Sequence, residues 1–128
     1  MAAEKVVRAY FDAWNRRDLV ALEATLAQEV EWRRSADFPE GRTLKGRDSL
    51  LDFARSMFDV FTETPIEVDE LTEGRGGSVV AVGTSRFVGG RSGVTTHSTW
   101  ARIYAVENGL IVAVRPYPTR EQALRAAG

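Results

Sequence analysis

Apolar positions recur at helical spacing at the start of the chain. Val6, Val7, Tyr10, Phe11 and Trp14 share one face, and Glu4, Lys5, Arg8 and Asp12 share the other, which predicts an amphipathic helix over residues 3 to 15. The polar run Asn15-Arg16-Arg17-Asp18 breaks it. Asp18 can accept a hydrogen bond from a free backbone N–H and suits the N-cap of a second helix carrying Leu19, Leu22, Leu26 and Ala27. Val30-Glu31-Trp32 alternates as a short strand, and the stretch from Ser35 to Gly46, with Pro39 and Gly41, reads as the longest loop. From Gly46 onward Leu50, Leu51, Phe53, Ala54, Met57, Phe58 and Phe61 keep a helical period until Thr64-Pro65. There the residue before proline is sterically excluded from the α region.

Beyond Pro65 the period falls from 3.6 to 2. Ile66 to Asp69, Ser78 to Val88, Val94 to Val106 and Leu110 to Tyr117 are rich in β-branched and aromatic residues and are separated by glycine clusters, so they read as four strands. Gly74-Arg75-Gly76-Gly77 and Gly89-Gly90-Arg91-Ser92-Gly93 suit hairpin loops. Asn108-Gly109 signals a type I′ turn, in which both central residues need positive φ. Thr119-Arg120-Glu121-Gln122 matches a capping box that opens a short final helix. Helices followed by an antiparallel meander imply an α+β fold, with the apolar helices laid across one face of a curved sheet.

A length of 128 residues fits one domain, 1–128. The absence of cysteine removes disulfides, thiolate metal sites and cysteine nucleophiles together, and points to a cytoplasmic protein. Seventeen basic residues oppose eighteen acidic ones, so there is no overall field to hold nucleic acid or an anionic membrane. No apolar run approaches the length of a membrane span, and the first residues lack the pattern of a signal peptide. Lys5 and Lys45 are the only lysines. The arginine excess fits either genomic nucleotide composition or the planar, bidentate pairing that arginine makes at interfaces and around carboxylates.

Four stretches in order carry a family likeness. They are Tyr10-Phe11-Asp12-Ala13-Trp14-Asn15-Arg16-Arg17-Asp18, Val30-Glu31-Trp32, Leu44-Lys45-Gly46-Arg47-Asp48, and Asn108-Gly109-Leu110-Ile111 leading to Tyr117-Pro118-Thr119-Arg120-Glu121-Gln122-Ala123-Leu124. With them the chain resembles, over essentially its whole length, the SnoaL-like and ketosteroid-isomerase-like proteins of the nuclear transport factor 2-like superfamily. The resemblance implies a cone: a bent antiparallel sheet wrapped around a long N-terminal helix, with two or three further helices and a pocket at the open end. It also implies a homodimer through the outer sheet face. It does not imply one reaction, because the family spans isomerases, cyclases, dehydratases, epoxide hydrolases and plain binding domains, so function rests on the site.

Aligned to that pattern, Tyr10 stands where ketosteroid isomerases carry the phenol that donates to the developing enolate. Arg34 stands at the proton-shuttling carboxylate, Ala101 stands at the second acid of the oxyanion hole, and Val114-Arg115-Pro116-Tyr117 supplies no late carboxylate. An arginine cannot act as that base. Parity along the strand, taking Ala101 as inward, turns His97, Thr99 and Ile103 inward too. His97, the only histidine, is then a candidate acid/base beside Tyr10, with Asp37 in reserve, or else a hydrogen-bonded strand histidine. Trp14, Trp32, Phe38, Phe53 and Met57 read either as core or as the lining of an apolar pocket, in which Arg34, Tyr10, His97 and Thr99 would orient a small apolar or aromatic ligand. A lone histidine without cysteine argues against a metal, and nothing calls for another cofactor.

The same parity turns Trp100, Arg102 and Tyr104 outward, in phase with Arg86, Arg115 and Tyr117. A basic, aromatic outer face of that kind fits self-association and lacks the motifs of RNA recognition. Two functions follow. One is a lyase or isomerase acting on a hydrophobic carbonyl compound through Tyr10 and His97, and the other is a non-catalytic ligand-binding or dimerisation module.

Overall fold

A computed structural model describes residues 3–33, 43–90 and 93–128. Helix α1 (Ala3–Asn15) buries Val6, Val7, Tyr10, Phe11, Ala13 and Trp14, the stripe its apolar spacing requires. Helix α2 (Leu19–Glu23) starts at Asp18, whose side chain accepts from the Ala21 N–H at 3.0 Å. It stops four residues earlier than its apolar pattern suggests. Leu26 and Ala27 belong instead to strand β1 (Leu26–Trp32), because the Thr25 hydroxyl turns back to the Leu22 carbonyl and the Ile111 N–H donates to the Thr25 carbonyl. That second bond spans most of the chain, so no local pattern announces it.

Strand β2 (Leu44–Lys45) precedes helix α3 (Arg47–Val60), and strand β3 (Phe61–Glu63) follows it, where a purely helical stretch up to Thr64 was expected. Strands β4 (Ile66–Glu73), β5 (Ser78–Gly89), β6 (Thr95–Glu107) and β7 (Leu110–Tyr117) form the predicted antiparallel meander. Asn108 and Gly109 turn the last hairpin with φ of 52° and 78°. Helix α4 (Arg120–Ala127) is capped by the Thr119 hydroxyl, which accepts from the Gln122 N–H at 3.1 Å.

The seven strands run in the order β2-β1-β7-β6-β5-β3, with β4 pairing with β5 as well. One pairing departs from the antiparallel expectation: β1 lies parallel to β7, with Trp32 opposite Val114. Register shifts between Val68 and Glu70, between Ala105 and Val106, and between Leu26 and Glu31 place bulges in three pairings. Bulges bend strands and increase their twist. The curled sheet closes around α1, whose Val7, Tyr10 and Phe11 pack with Val79, Ala81, Tyr104, Ile111 and Val114 in one apolar cluster. The convex side carries a second cluster, in which Ala123 and Ala127 of α4 meet Val80 and Ala101, with Ile103 and Tyr117 packed around them. Small residues on both partners let α4 approach the strands closely.

Three polar clips tie the end of α1 to the chain around Pro65. The Trp14 indole N–H donates to the Thr64 carbonyl at 2.8 Å, and the Asn15 amide exchanges two bonds with the Ile66 backbone at 2.9 and 2.8 Å. Arg17, at φ 56°, donates to the carbonyls of Phe58 and Phe61 at 3.0 and 2.8 Å. At the other end Arg120 forks onto both carboxylate oxygens of Glu70 at 2.7 and 2.9 Å, joining α4 to β4. That bond holds the Glu70 carboxyl below its ordinary range. No helix among the described residues is long and apolar enough to cross a membrane.

Candidate functional site

Alternation on β6 sends Trp100, Arg102 and Tyr104 to one face, and that face is the concave one. Their partners across β5 are Gly83, Ala81 and Val79, so the large side chains of β6 lie beside small ones. Gly83 is the tightest point, because a Cβ there would meet Trp100 Cζ2 at 2.8 Å and would also strike the Glu67 carbonyl oxygen. Helix α1 supplies the opposing rings. Phe11 stacks on Trp100 with centroids 5.5 Å apart, and Tyr10 contacts Tyr104 at 5.7 Å and Trp32 at 5.9 Å. Trp32 meets Tyr104 edge-on at 5.9 Å, so five rings from three elements form a continuous aromatic set. Edge-to-face and offset contacts of this kind add to burial and hold the rings rigidly.

One cation sits within the set. The Arg102 guanidinium carbon lies 4.4 Å from the centroid of Trp100 and 5.1 Å from that of Trp32, and Nη1 donates to the Tyr104 hydroxyl at 3.1 Å. Such contacts strengthen as water is excluded. Trp32, Trp100 and Arg102 are partly exposed, whereas Tyr10 and Tyr104 are buried beneath them. Burial pushes the Tyr10 phenol well above its ordinary pKa and neighbouring Tyr104 raises it further, with Arg102 opposing; burial likewise raises Tyr104. Both phenols therefore stay protonated at neutral pH, and the Tyr104 hydroxyl accepts from Arg102. The Trp100 indole N–H is buried without a partner among the described residues.

The inward and outward assignments on β6 are thus reversed from the sequence expectation. Trp100, Arg102 and Tyr104, expected on an outer association face, line the concave side, while Ala101 and Ile103 lie under α4 on the convex side. Arg115 and Tyr117 do face outward, but α4 packs over Tyr117, and Arg86 pairs with Glu63 at 3.3 Å. His97 and Thr99, expected in the pocket, share the parity of Ala101 and are exposed. The structure therefore does not bring His97 to Tyr10. Alternation tells which residues share a face, but not which face is concave. The small residues at 79, 81 and 83 opposite the bulky ones at 100, 102 and 104 are the sequence signal that distinguishes the two.

Tyr10 and Trp32 come together on the concave side, with ring centroids 5.9 Å apart. Phe53 and Met57 of α3 pack partly buried against the same cluster. Trp14 is core, with its ring 4.9 Å from Phe58 and its N–H engaged by Thr64. Arg34, Asp37 and Phe38 lie outside the described residues. Among the described residues, no three His, Asp or Glu side chains cluster as metal ligands would. Two grooves of about 260 and 220 Å³ lie away from the Arg102 centre, one by Gly74 and Val106, the other between α1 and β4.

Residues 7–114 match the family model of the SnoaL-like domain. No curated protein matches the chain. Among solved structures, an NTF2-like protein of unknown function from Burkholderia pseudomallei is 25% identical with a TM-score of 0.77, over 98% of this chain and 96% of that one. A Mycobacterium tuberculosis protein crystallised with estradiol-17beta-hemisuccinate is 17% identical with a TM-score of 0.79, over 91% and 93%. TerC, co-crystallised with polyporic acid, is 16% identical with a TM-score of 0.76, over 98% and 96%.

Proposed function

This chain belongs to the SnoaL-like domain family, and on that premise we propose that it binds a small, flat, hydrophobic molecule against the concave face of its sheet. The observation that carries this reading is the partly exposed group of Trp32, Trp100 and Arg102 above the buried Tyr10 and Tyr104. Indole faces offer apolar area with little entropy to lose, and a few polar groups fix orientation, as is usual for small-molecule sites. The two structural neighbours crystallised with estradiol-17beta-hemisuccinate and polyporic acid support the same reading. The Tyr10 phenol, held neutral, is the donor for a ligand carbonyl oxygen. Arginine and alanine stand at positions 34 and 101, where the resemblance to ketosteroid isomerases expects carboxyls, which favours binding over proton transfer.

Trp32 and Trp100 are two of the chain's three tryptophans, so ligand binding should quench intrinsic fluorescence. A ligand present at 100 times its dissociation constant adds about 2.7 kcal/mol of stability, a rise of roughly 10 °C in Tm for a domain of this size. A panel of flat aromatic acids, amides and ketones tests this directly. Saturable quenching, lost in Trp32→Ala, is the expected result, and a panel without saturable quenching or thermal shift would overturn the reading. Turnover of a carbonyl compound, abolished by Asp37→Asn, would replace binding by catalysis as the function.

A further inference from the structure

We propose that Arg102 makes this site selective for ligands whose flat body carries an anionic oxygen pair, a carboxylate or a comparable delocalised acid. The inference deepens the binding reading and rests on it. A guanidinium has five N–H donors lying in its own plane. Among the described residues one of them is used, by the Tyr104 hydroxyl at 3.1 Å. The Arg102 guanidinium carbon lies over the ring faces of Trp32 and Trp100, 5.1 and 4.4 Å from their centroids, and neither ring face offers its N–H donors a carboxylate or carbonyl oxygen. The ion pairs among the described residues join other groups: Arg8 to Glu4, Arg55 to Asp52, Arg86 to Glu63, and Arg120 to Glu70 and Glu121. Arg102 is therefore a half-buried cation with open in-plane donors and no carboxylate partner among the described residues.

Arg102 is partly exposed, and a ligand that covers it would strip water from its donors, which is costly unless an anion meets them. Aromatic faces offset part of that cost but leave the donor edge unsatisfied. A carboxylate on a flat ring satisfies it, because the two oxygens match the guanidinium fork while the ring lies along the indoles. Tyr10 packs against Tyr104 beneath the same position, with ring centroids 5.7 Å apart. Lysine would not serve equally, since it lacks both the planar fork and the stacking face.

The test compares 2-naphthoate with its neutral near-isostere 2-naphthamide by calorimetry and tryptophan quenching on the full chain. Wild type should bind the carboxylate about ten- to hundred-fold more tightly, the range expected for a charge-assisted hydrogen-bonded pair. Arg102→Met keeps the apolar stem and should erase the preference, bringing the affinities for acid and amide together. Arg102→Lys should restore only part of it. Equal affinity of wild type for acid and amide would overturn the selectivity and leave the binding reading intact, and that comparison needs no variant to fold. Preference for the acid retained in Arg102→Met would also overturn it, and binding of neither compound by wild type, with the wider panel silent too, would remove both readings.

Discussion

Replacing Gly83 by alanine probes the close approach on which the concave aromatic face depends. The new methyl group would lie 2.8 Å from Trp100 Cζ2, and it would be 3.2 Å from the Glu67 carbonyl carbon and closer still to its oxygen. Relaxed carbon–carbon contacts sit near 3.5–4.0 Å. The indole can tilt, but the Glu67 carbonyl belongs to the β4–β5 ladder, where Glu67 and Val68 pair with Thr84 and Gly83. Moving it sacrifices ladder hydrogen bonds. Overpacking of about 1–3 kcal/mol plus about 1 kcal/mol for a strained ladder bond gives a loss of roughly 2–4 kcal/mol. At about 2.1 cal/mol/K per residue, 128 residues carry an unfolding entropy of about 0.27 kcal/mol/K, so Tm should fall by roughly 7–15 °C. Calorimetry measures this, and near-UV circular dichroism reports the tilt of Trp100. Gly90→Ala is the matched control, because its Cβ would meet only Thr62 Cγ2 at 3.5 Å and the Val60 carbonyl at 3.8 Å. It should shift Tm by no more than a degree or two. Repeating the substitution in a Trp100→Ala background separates the two obstacles, and most of the loss should persist because the carbonyl is the less yielding one. A Gly83→Ala protein as stable as wild type would refute the close approach and, with it, the account of why Trp100 lies where it does.

Two further outcomes are expected. Arg17→Ala removes two charge-assisted bonds to the Phe58 and Phe61 carbonyls and a ring contact at 5.2 Å, a loss of about 2–4 kcal/mol; Arg17→Gly should recover about 1 kcal/mol of it by relieving the positive φ, and urea unfolding of the pair checks the difference. Because the pKa values of Tyr10 and Tyr104 are raised in the folded state, the unfolded chain loses those protons first as pH rises past about 10. Their contribution is intact below that pH and is lost above it, at up to about 1.4 kcal/mol per pH unit per tyrosine, so unfolding midpoints measured between pH 9 and 11 should be flat and then fall, and a midpoint that stays level to pH 11 would contradict the burial of both phenols.

Much of the architecture is legible in the chain because it depends on local chemistry. The Asp18 and Thr119 caps and the Asn108-Gly109 turn act through neighbours within four residues, and each forms as its residues require. The apolar stripe of α1 and the period-2 stretches after Pro65 likewise need only their own spacing. Leu26 shows the opposite case: it continues a helical pattern, yet the Ile111 backbone on a distant strand draws it into a parallel pairing. Nothing within five residues of Leu26 encodes that partner.

The candidate site divides along the same line. Tyr10 and Trp32 are readable only as candidates, Tyr10 through the resemblance to ketosteroid isomerases and Trp32 as either core or pocket lining. The concave placement of Arg102 is not readable from alternation alone, which leaves two ways to turn β6. Helix α4 breaks the tie: Ala123 and Ala127 settle on Val80 and Ala101, where only small side chains allow contact. Trp100, Arg102 and Tyr104 are thereby sent to the side where α1 offers rings and Gly83 offers room. Residue order thus determines the elements and which side chains travel together. Packing between elements distant in the chain decides which of those sets faces the concave side, because shape complementarity is a property of two surfaces and neither strand carries it alone.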